Sequence, residues 1–244
     1  MKIFKEIFAR IWALWAIIVF IVPMLAFVWL YLVCFLLPEP KASRWHRGVS
    51  RVWMNIFLPL SGCPLKVRGK QHFEKGHNYV VVCNHNSLID VPATTPFMPN
   101  ANKTIAKKSF ARVPLFGWIY IAGSILVDRN SDKSRRDSYE QMKQTLAVGL
   151  DMVIYPEGTR NRTGNPLKNF YDGAFRLAVE TGKPIMPVVL FNTAKVLPVK
   201  KVFYMLPHKL EMHILQPVSS KDITYAQLKE KVFKIMWDYY AANK

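Results

Sequence analysis

The pattern of apolar and polar positions divides the chain into two unlike parts. From Ile11 to Leu37 there are 27 consecutive residues without a charge. As a helix this run would be about 40 Å long, against the roughly 30 Å of a bilayer's hydrocarbon core. Pro23 lies midway and predicts a kink, because proline removes a helical hydrogen bond. Two shapes fit: one tilted, kinked spanning helix, or a bent helical pair dipping into one leaflet. Basic residues flank both ends: Lys2, Lys5 and Arg10 before, Lys41, Arg44, Arg47 and Arg51 after. Orientation rules need an asymmetry of charge, and this near-symmetry favours both ends lying on one anionic face. Pro38-Glu-Pro40 ends the run, and Ser43 to about Pro64 reads as an amphipathic connector. Its apolar stretch Val52–Leu60, with Trp53 and Phe57, suits the same interface.

From Leu65 onward the pattern becomes alternating strand and helix. Strands are expected at Lys66–Gly69, Tyr79–Cys83, Ile125–Arg129, Met152–Pro156, Ile185–Phe191 and Glu211–Val218. Tyr79–Cys83 is continuously apolar, as a strand buried on both faces is. Helices are expected at Ser134–Gly149 and Gly173–Gly182. Thr224-Tyr-Ala-Gln227 is a capping-box pattern. It opens a third helix with Leu228, Val232, Ile235 and Tyr239 on one face. Alternation of this kind predicts an α/β fold: a mixed, mostly parallel sheet layered with helices, plus an N-terminal hydrophobic helical membrane anchor. The expected division is 1–62 for the anchor and 63–244 for the catalytic domain.

Charge and cysteines refine the picture. The net charge is +18, which attracts polyanions. No zinc-finger spacing, RNA-binding aromatic signature or basic zipper is present, so nucleic acid is not the expected partner. With the apolar run, an anionic membrane surface is. Cys34, Cys63 and Cys83 form no metal or redox pattern, which points to buried thiols in a reducing compartment.

Chemistry concentrates at Asn84-His85-Asn86-Ser87-Leu88-Ile89-Asp90, directly after the Tyr79–Cys83 run. Residues five apart on a helix are separated by about 140°, so His85 and Asp90 meet only if one lies on the preceding turn. Ser87 is a candidate N-cap, with Asp90 three residues later. His85 would then fold back from the turn toward Asp90. An aspartate on one imidazole nitrogen fixes the tautomer and stabilises the imidazolium formed when the other takes a proton. No G-x-S-x-G elbow supplies a nucleophile. Such a pair suits a reaction in which the substrate brings its own hydroxyl and the leaving group needs no acid. Acyl transfer from a thioester qualifies, because a thiolate with pKa near 8.5 departs unaided. As alternatives, Asp90 could serve only as a helix cap, and no third ligand suggests a metal.

Anion-binding candidates follow in order. Lys107-Lys108 precede the apolar segment Val113–Ala122. Gly123-Ser-Ile-Leu-Val-Asp-Arg129 places an arginine at a strand end. Glu157-Gly158-Thr159-Arg160 follows Met152–Pro156, where Gly158 allows close backbone approach and Arg160 can grip a phosphate through two hydrogen bonds. Singly, each reads as well as a surface residue.

Taken together, four ordered blocks resemble the glycerolipid acyltransferases, in particular the bacterial membrane-bound 1-acylglycerol-3-phosphate O-acyltransferases. They are Asn84-His85-x₄-Asp90, Gly123–Arg129, Tyr155-Pro-Glu-Gly-Thr-Arg160 and Pro184-Ile-Met-Pro187-Val-Val; Ala106–Gly117 also matches. The likeness covers roughly residues 65–220. It implies transfer of a fatty acyl group from acyl-CoA or acyl-carrier protein to the sn-2 hydroxyl of lysophosphatidic acid, giving phosphatidic acid, with no cofactor and no metal. It implies His85 as general base and Asp90 as its partner. Lys107, Arg129, Glu157, Gly158, Thr159 and Arg160 become the acceptor site. The implied location is the cytoplasmic face of the bacterial inner membrane. One departure stands out. The family often has Phe-Lys-x-Gly after the third block, where this chain has Phe170-Tyr171-Asp172-Gly173. Either Lys168 supplies the missing cation, or the acceptor is another lyso-lipid, such as a lyso-aminolipid without phosphate. A third reading is a non-enzymatic protein that binds anionic lipid.

Overall fold

The computed structural model describes residues 2–128 and 130–243. Seven strands form one sheet: β1 (Leu65–Arg68), β2 (Val80–Cys83), β3 (Asn102–Lys107), β4 (Ser124–Val127), β5 (Asp151–Ile154), β6 (Ile185–Phe191) and β7 (Leu210–Ile214). Their order is β1-β7-β6-β2-β5-β3-β4. All pairings are parallel except β6–β7, which is antiparallel. The sheet is therefore the mixed, mostly parallel one expected. β2 sits at its centre, and Val80, Val81, Val82 and Cys83 are all buried. Alternate residues serve two cores: Val80 and Val82 face one, Tyr79, Val81 and Cys83 the other. This is the period of two that every strand imposes.

Helices α5 (Asp132–Ala147), α6 (Gly173–Thr181) and α8 (Tyr225–Asn243) cover the first face. There Met142, Leu146, Phe175, Leu177, Leu228, Val232 and Met236 join Val80, Val82 and Ile154 in one cluster. The capping box opens α8 as expected. Thr224 N–H donates to Gln227 Oε1 at 3.1 Å, and Gln227 N–H to Thr224 Oγ1 at 3.3 Å.

β3 has no counterpart among the expected strands. Its inward side chains are Asn102, Thr104 and Ala106, a polar set that hides the strand from a search for apolar runs. They are tolerated because each polar group finds a carbonyl. Asn102 Nδ2 donates to Thr95 and Asn100, and Thr104 Oγ1 to Val153 at 3.0 Å.

The N-terminal region is a helical hairpin. α1 (Lys2–Phe27) runs through Pro23 without a break, and a 3₁₀ segment, Val28–Phe35, continues it. α2 (Lys41–Leu60) returns antiparallel to it. Tryptophan indoles staple the pair: Trp12 donates to Ser61 O, Trp15 to Leu60 O, Trp53 to Phe20 O and Trp45 to Leu30 O, at 2.7–3.1 Å. The apolar run itself is thus one continuous helical rod rather than a bent pair, and it is the amphipathic connector, α2, that folds back along it. One side of α1 remains uncovered, with Ile3, Phe4, Ile7, Ile11, Leu14, Ile18, Val22 and Leu25 all exposed.

Two of the basic flanking residues are not where a lipid-facing reading puts them. Arg47 Nη1 donates to Met98 O at 2.8 Å and Pro99 O at 2.6 Å. Arg51 donates to Pro96 O and Met98 O. Both guanidiniums cap carbonyls of the turn before β3 and bolt the hairpin to the sheet domain. Of the α2 stretch expected at the interface, Trp53, Met54, Phe57 and Leu58 are buried in the core, while Val52 and Leu60 are exposed. A short helix, α4 (Phe116–Gly123), packs against α2. His46 Nε2 meets Ile119 O at 3.1 Å, and burial pushes the His46 imidazole pKa down to about 4. A Cβ on Gly123 would lie 2.4 Å from the His46 ring, so this seam requires glycine.

Hydrogen bonds from charged groups contribute about 1.5–3 kcal/mol each. Arg47→Ala is expected to lower unfolding stability by about 2–3 kcal/mol and to loosen the hairpin. Hydrogen exchange localised to 41–60 and 95–100 would show it; unchanged protection there would contradict the bolted geometry.

Candidate active site

β2 and β5 are adjacent and parallel, so their C-terminal ends open side by side at the sheet's centre. Ligands in open α/β sheets bind beyond these carboxyl ends. β2 delivers residues 84–90, and β5 delivers 155–160. β3 and β4 follow outward in the same row, so Lys107 ends the next strand but one from β2. That places its backbone about 10 Å along the sheet. Arg129, two residues beyond β4, lies outside the described residues.

The loop after β2 has no secondary structure, and side chains hold it. Asn84 is fully buried and acts as a peptide unit: Nδ2 donates to Leu190 O at 3.0 Å, and Leu190 N–H donates to Oδ1 at 2.7 Å. The main chain can therefore leave the sheet while β6 keeps its partner. His85 Nδ1 lies 2.8 Å from Asp90 Oδ2. The same oxygen accepts the Asn86 and Ser87 N–H groups at 2.6 and 2.7 Å. Asp90 has no exposed surface, while the His85 side chain is 19% exposed, so Nε2 is the nitrogen left for a substrate. With a carboxylate at Nδ1, the neutral ring carries its proton there and Nε2 is the acceptor.

The turn required by the five-residue spacing is present, but Ser87 is not the helix cap. α3 (Asp90–Thr94) starts at Asp90 itself. The Ser87 hydroxyl instead donates to Leu197 O at 2.8 Å, at the end of α7 (Thr193–Val196). Asp90 still does what a capping-box acid does, taking the Ser87 amide. It combines the two roles that the sequence left as alternatives.

Glu157 was expected to face the acceptor. Its side chain is buried, and both oxygens take backbone amides: Oε1 from His85 at 2.7 Å, Oε2 from Lys168 at 3.0 Å. The acid thus grips the main chain of His85 from the neighbouring strand. A second link runs the other way, from Asn161 N–H to His85 O at 2.7 Å. Burial outweighs these amides and pushes the Glu157 carboxyl up to about 7. Under His85 lies Tyr155, its ring 4.6 Å away. Among the described residues its buried hydroxyl, like Asp90 Oδ1, has no partner.

The cationic side of the site is more open. Arg160 is half-buried and Lys107 exposed, and no described residue pairs with either side chain. Thr159 Oγ1 accepts from Lys168 Nζ at 3.0 Å, so a cation does stand beside the third block. Gly158 has φ +69°, and a Cβ there would lie 2.6 Å from the Tyr171 ring. The turn therefore needs glycine on two counts. Asp172 faces away: Lys229 Nζ on α8 holds it at 2.7 Å.

The raised Glu157 carboxyl gives a signed prediction. Its folded value, about 7, exceeds the unfolded one, 4.5. The stability it contributes is complete below about 4.5 and is lost as pH rises through about 7. Glu157→Gln removes this dependence. The stability of the wild type relative to the variant should fall by on the order of 2–3 kcal/mol between those limits. Parallel melting curves for the two proteins would count against a buried, raised carboxyl.

Comparison with known proteins agrees with this geometry. The profile of the family described as Acyltransferase matches residues 64–191. A 1-acyl-sn-glycerol-3-phosphate acyltransferase of Cocos nucifera is 32% identical over 169 residues, 68% of this chain and 54% of that protein. One of Limnanthes douglasii is 29% identical over 91% of this chain and 79% of its own length. One of Haemophilus influenzae is 30% identical over 60% and 61%. The match thus spans about half of the Cocos protein and 58% of the Mus musculus alpha form. The crystal structure of the 1-acyl-sn-glycerophosphate acyltransferase PlsC of Thermotoga maritima superposes with a TM-score of 0.81. It covers 99% of this chain and 97% of that one at 21% identity, and so shares the fold. With more than half of its length matched by the family profile, and with the histidine–aspartate pair formed at the centre of the sheet, the chain belongs to the acyltransferase family.

Proposed function

We propose that the protein is a 1-acylglycerol-3-phosphate O-acyltransferase that moves a fatty acyl group from a thioester donor, acyl-CoA or acyl-carrier protein, to the sn-2 hydroxyl, giving phosphatidic acid. The observation that carries the reading is the partly exposed His85 ring, braced at Nδ1 by buried Asp90 and with no hydrogen-bond partner at Nε2 among the described residues. In this mechanism Nε2 takes the hydroxyl proton as the alcohol oxygen attacks the thioester carbonyl. Asp90 stabilises the imidazolium that results. The tetrahedral intermediate collapses, the C–S bond breaks, and the thiolate leaves; the imidazolium proton then neutralises it. No covalent acyl-enzyme is needed. Glu157 is a positioning residue, holding the His85 backbone rather than the substrate.

Arg160, Thr159, Gly158, Lys168 and Lys107 are proposed to receive the acceptor phosphate, and the resemblance adds Arg129 to this set. The Lys168–Thr159 contact supports a phosphate-bearing acceptor. The lyso-aminolipid alternative rested on Tyr171-Asp172, and Asp172 is paired with Lys229 of α8, so that alternative loses its motive. The uncovered apolar side of α1 supports attachment to a bilayer. The return of α2 along it supports attachment within one leaflet, and the resemblance adds the cytoplasmic face of a bacterial inner membrane.

General-base catalysis contributes about 10²–10⁴-fold. His85→Ala is expected to lower kcat by that factor while the protein remains folded, with a melting temperature lowered only by the loss of one of the three bonds to Asp90. Lys168→Ala should raise KM for lysophosphatidic acid roughly 10-fold or more while sparing kcat, since a charge-assisted contact is worth about 1.5–3 kcal/mol. The measurement is transfer from acyl-CoA and from acyl-carrier protein to lysophosphatidic acid and to a phosphate-free lyso-lipid. Turnover retained by His85→Ala, or transfer only to the phosphate-free lipid, would refute the proposal.

A further inference from the structure

Between α7 and β7 the chain makes an excursion, residues 197–209, whose base is closed by the Leu206 N–H donating to Val196 O at 2.9 Å. One foot is tied to the catalytic loop through Ser87 Oγ and Leu197 O. The other is tied to the hairpin. Met205 N–H donates to Ala9 O at 3.1 Å, Lys201 pairs with Glu6, and a Cβ on Gly62 would meet Pro207 at 2.6 Å. Tyr204 and Met205 are buried, and Lys201 Nζ lies 4.0 Å from the Tyr204 ring centroid.

Between these fixed feet the chain turns outward. Val202 is 87% exposed and Phe203 46%, the latter at φ +51°. A bulky residue is rarely left-handed, and here that strained conformation presents two apolar side chains to the outside. Lys200 stands two residues before Val202 and is exposed, as are Lys195 and Lys209 at the two ends of the excursion. The neighbouring first turns of α1 add exposed Lys2 and Lys5 with Ile3, Phe4, Ile7 and Phe8.

We infer that residues 198–204 form a second membrane contact, a finger that docks on an anionic bilayer surface and ties the catalytic loop to it. The inference rests on the membrane reading above and goes beyond the α1 anchor. Two observations choose lipid as the occupant. Val202 and Phe203 are exposed directly beside Lys200, and the Lys201–Glu6 pair holds the loop at the first turns of α1, which expose Ile3, Phe4 and Lys5 of their own; apolar side chains mixed with cations at both places suit an acyl–headgroup boundary. An acidic carrier protein is the competing occupant for the lysines.

The test uses the full-length protein with an environment-sensitive fluorophore on Val202→Cys or, separately, on Ile18→Cys of α1. The native cysteines are buried and spare the labelling. Vesicles of phosphatidylethanolamine and phosphatidylglycerol should raise and blue-shift the emission at 202, and added salt should reverse part of it. Lys200→Gln should weaken binding to these vesicles about fivefold, the equivalent of about 1 kcal/mol per cation, and leave binding to phosphatidylcholine vesicles unchanged. A response at 18 without one at 202 overturns the finger and leaves the anchor standing. Silence at both positions overturns the membrane reading with it. A response at 202 to acyl-carrier protein in vesicle-free solution, with none to vesicles, assigns the loop to the donor instead and overturns the lipid contact.

Discussion

A single buried oxygen organises the site. Asp90 Oδ2 accepts from the His85 ring and from the Asn86 and Ser87 amides. Burying a carboxyl oxygen without partners is unfavourable, and here three donors meet one oxygen. The same three bonds set the path of the loop, since its amides have no ladder to join. Orientation of the histidine and conformation of the loop are thus one event. Glu157 adds the reciprocal constraint from β5 by taking the His85 amide. Two acids, one after β2 and one after β5, fix a histidine that no regular element supports.

Much of this was legible in the sequence, for identifiable reasons. The five-residue spacing excluded a shared helix face and demanded a turn, which is present. Continuous apolar runs marked β2, β5 and β6, because strands at the centre of a mostly parallel sheet are buried on both faces. Thr224 and Gln227 marked the start of α8 because their bonds are local. What escaped was non-local. β3 hides its polar side chains against carbonyls from distant segments. Ser87 was taken for a cap because its partner, Leu197, lies far along the chain. Arg47 and Arg51 look like lipid-facing charges until the turn before β3 is folded beneath them. Glu157 shares a motif with Arg160, and sequence cannot say that one turns inward while the other faces the opening.

The hairpin and the sheet form one mechanical unit. Arg47 and Arg51 join α2 to the turn before β3, and Lys103 pairs with Glu39 at 2.7 Å in the hairpin's loop. The reactive nitrogen of His85 therefore keeps a set relation to the uncovered side of α1. The proposed reaction needs this, because the hydroxyl of a lipid acceptor would lie at a defined depth in the interface and the proposed base would have to meet it there. Fixed geometry of this kind lowers the ordering required at the moment of reaction.

Asn84 has a consequence of a different kind. Its amide stands in for a missing peptide group, and both halves of that amide are used. Hydrolysis of the side chain to aspartate, the ordinary chemical ageing of asparagine, would replace the donor facing Leu190 O with an anionic oxygen. The damage would fall one residue from the base, yet remove no atom of it. Such a change would leave every other side chain intact and still undo the seam on which the loop leaves the sheet; burial of Asn84 and the hold of Glu157 on the next amide, the group that would attack it, protect against that loss.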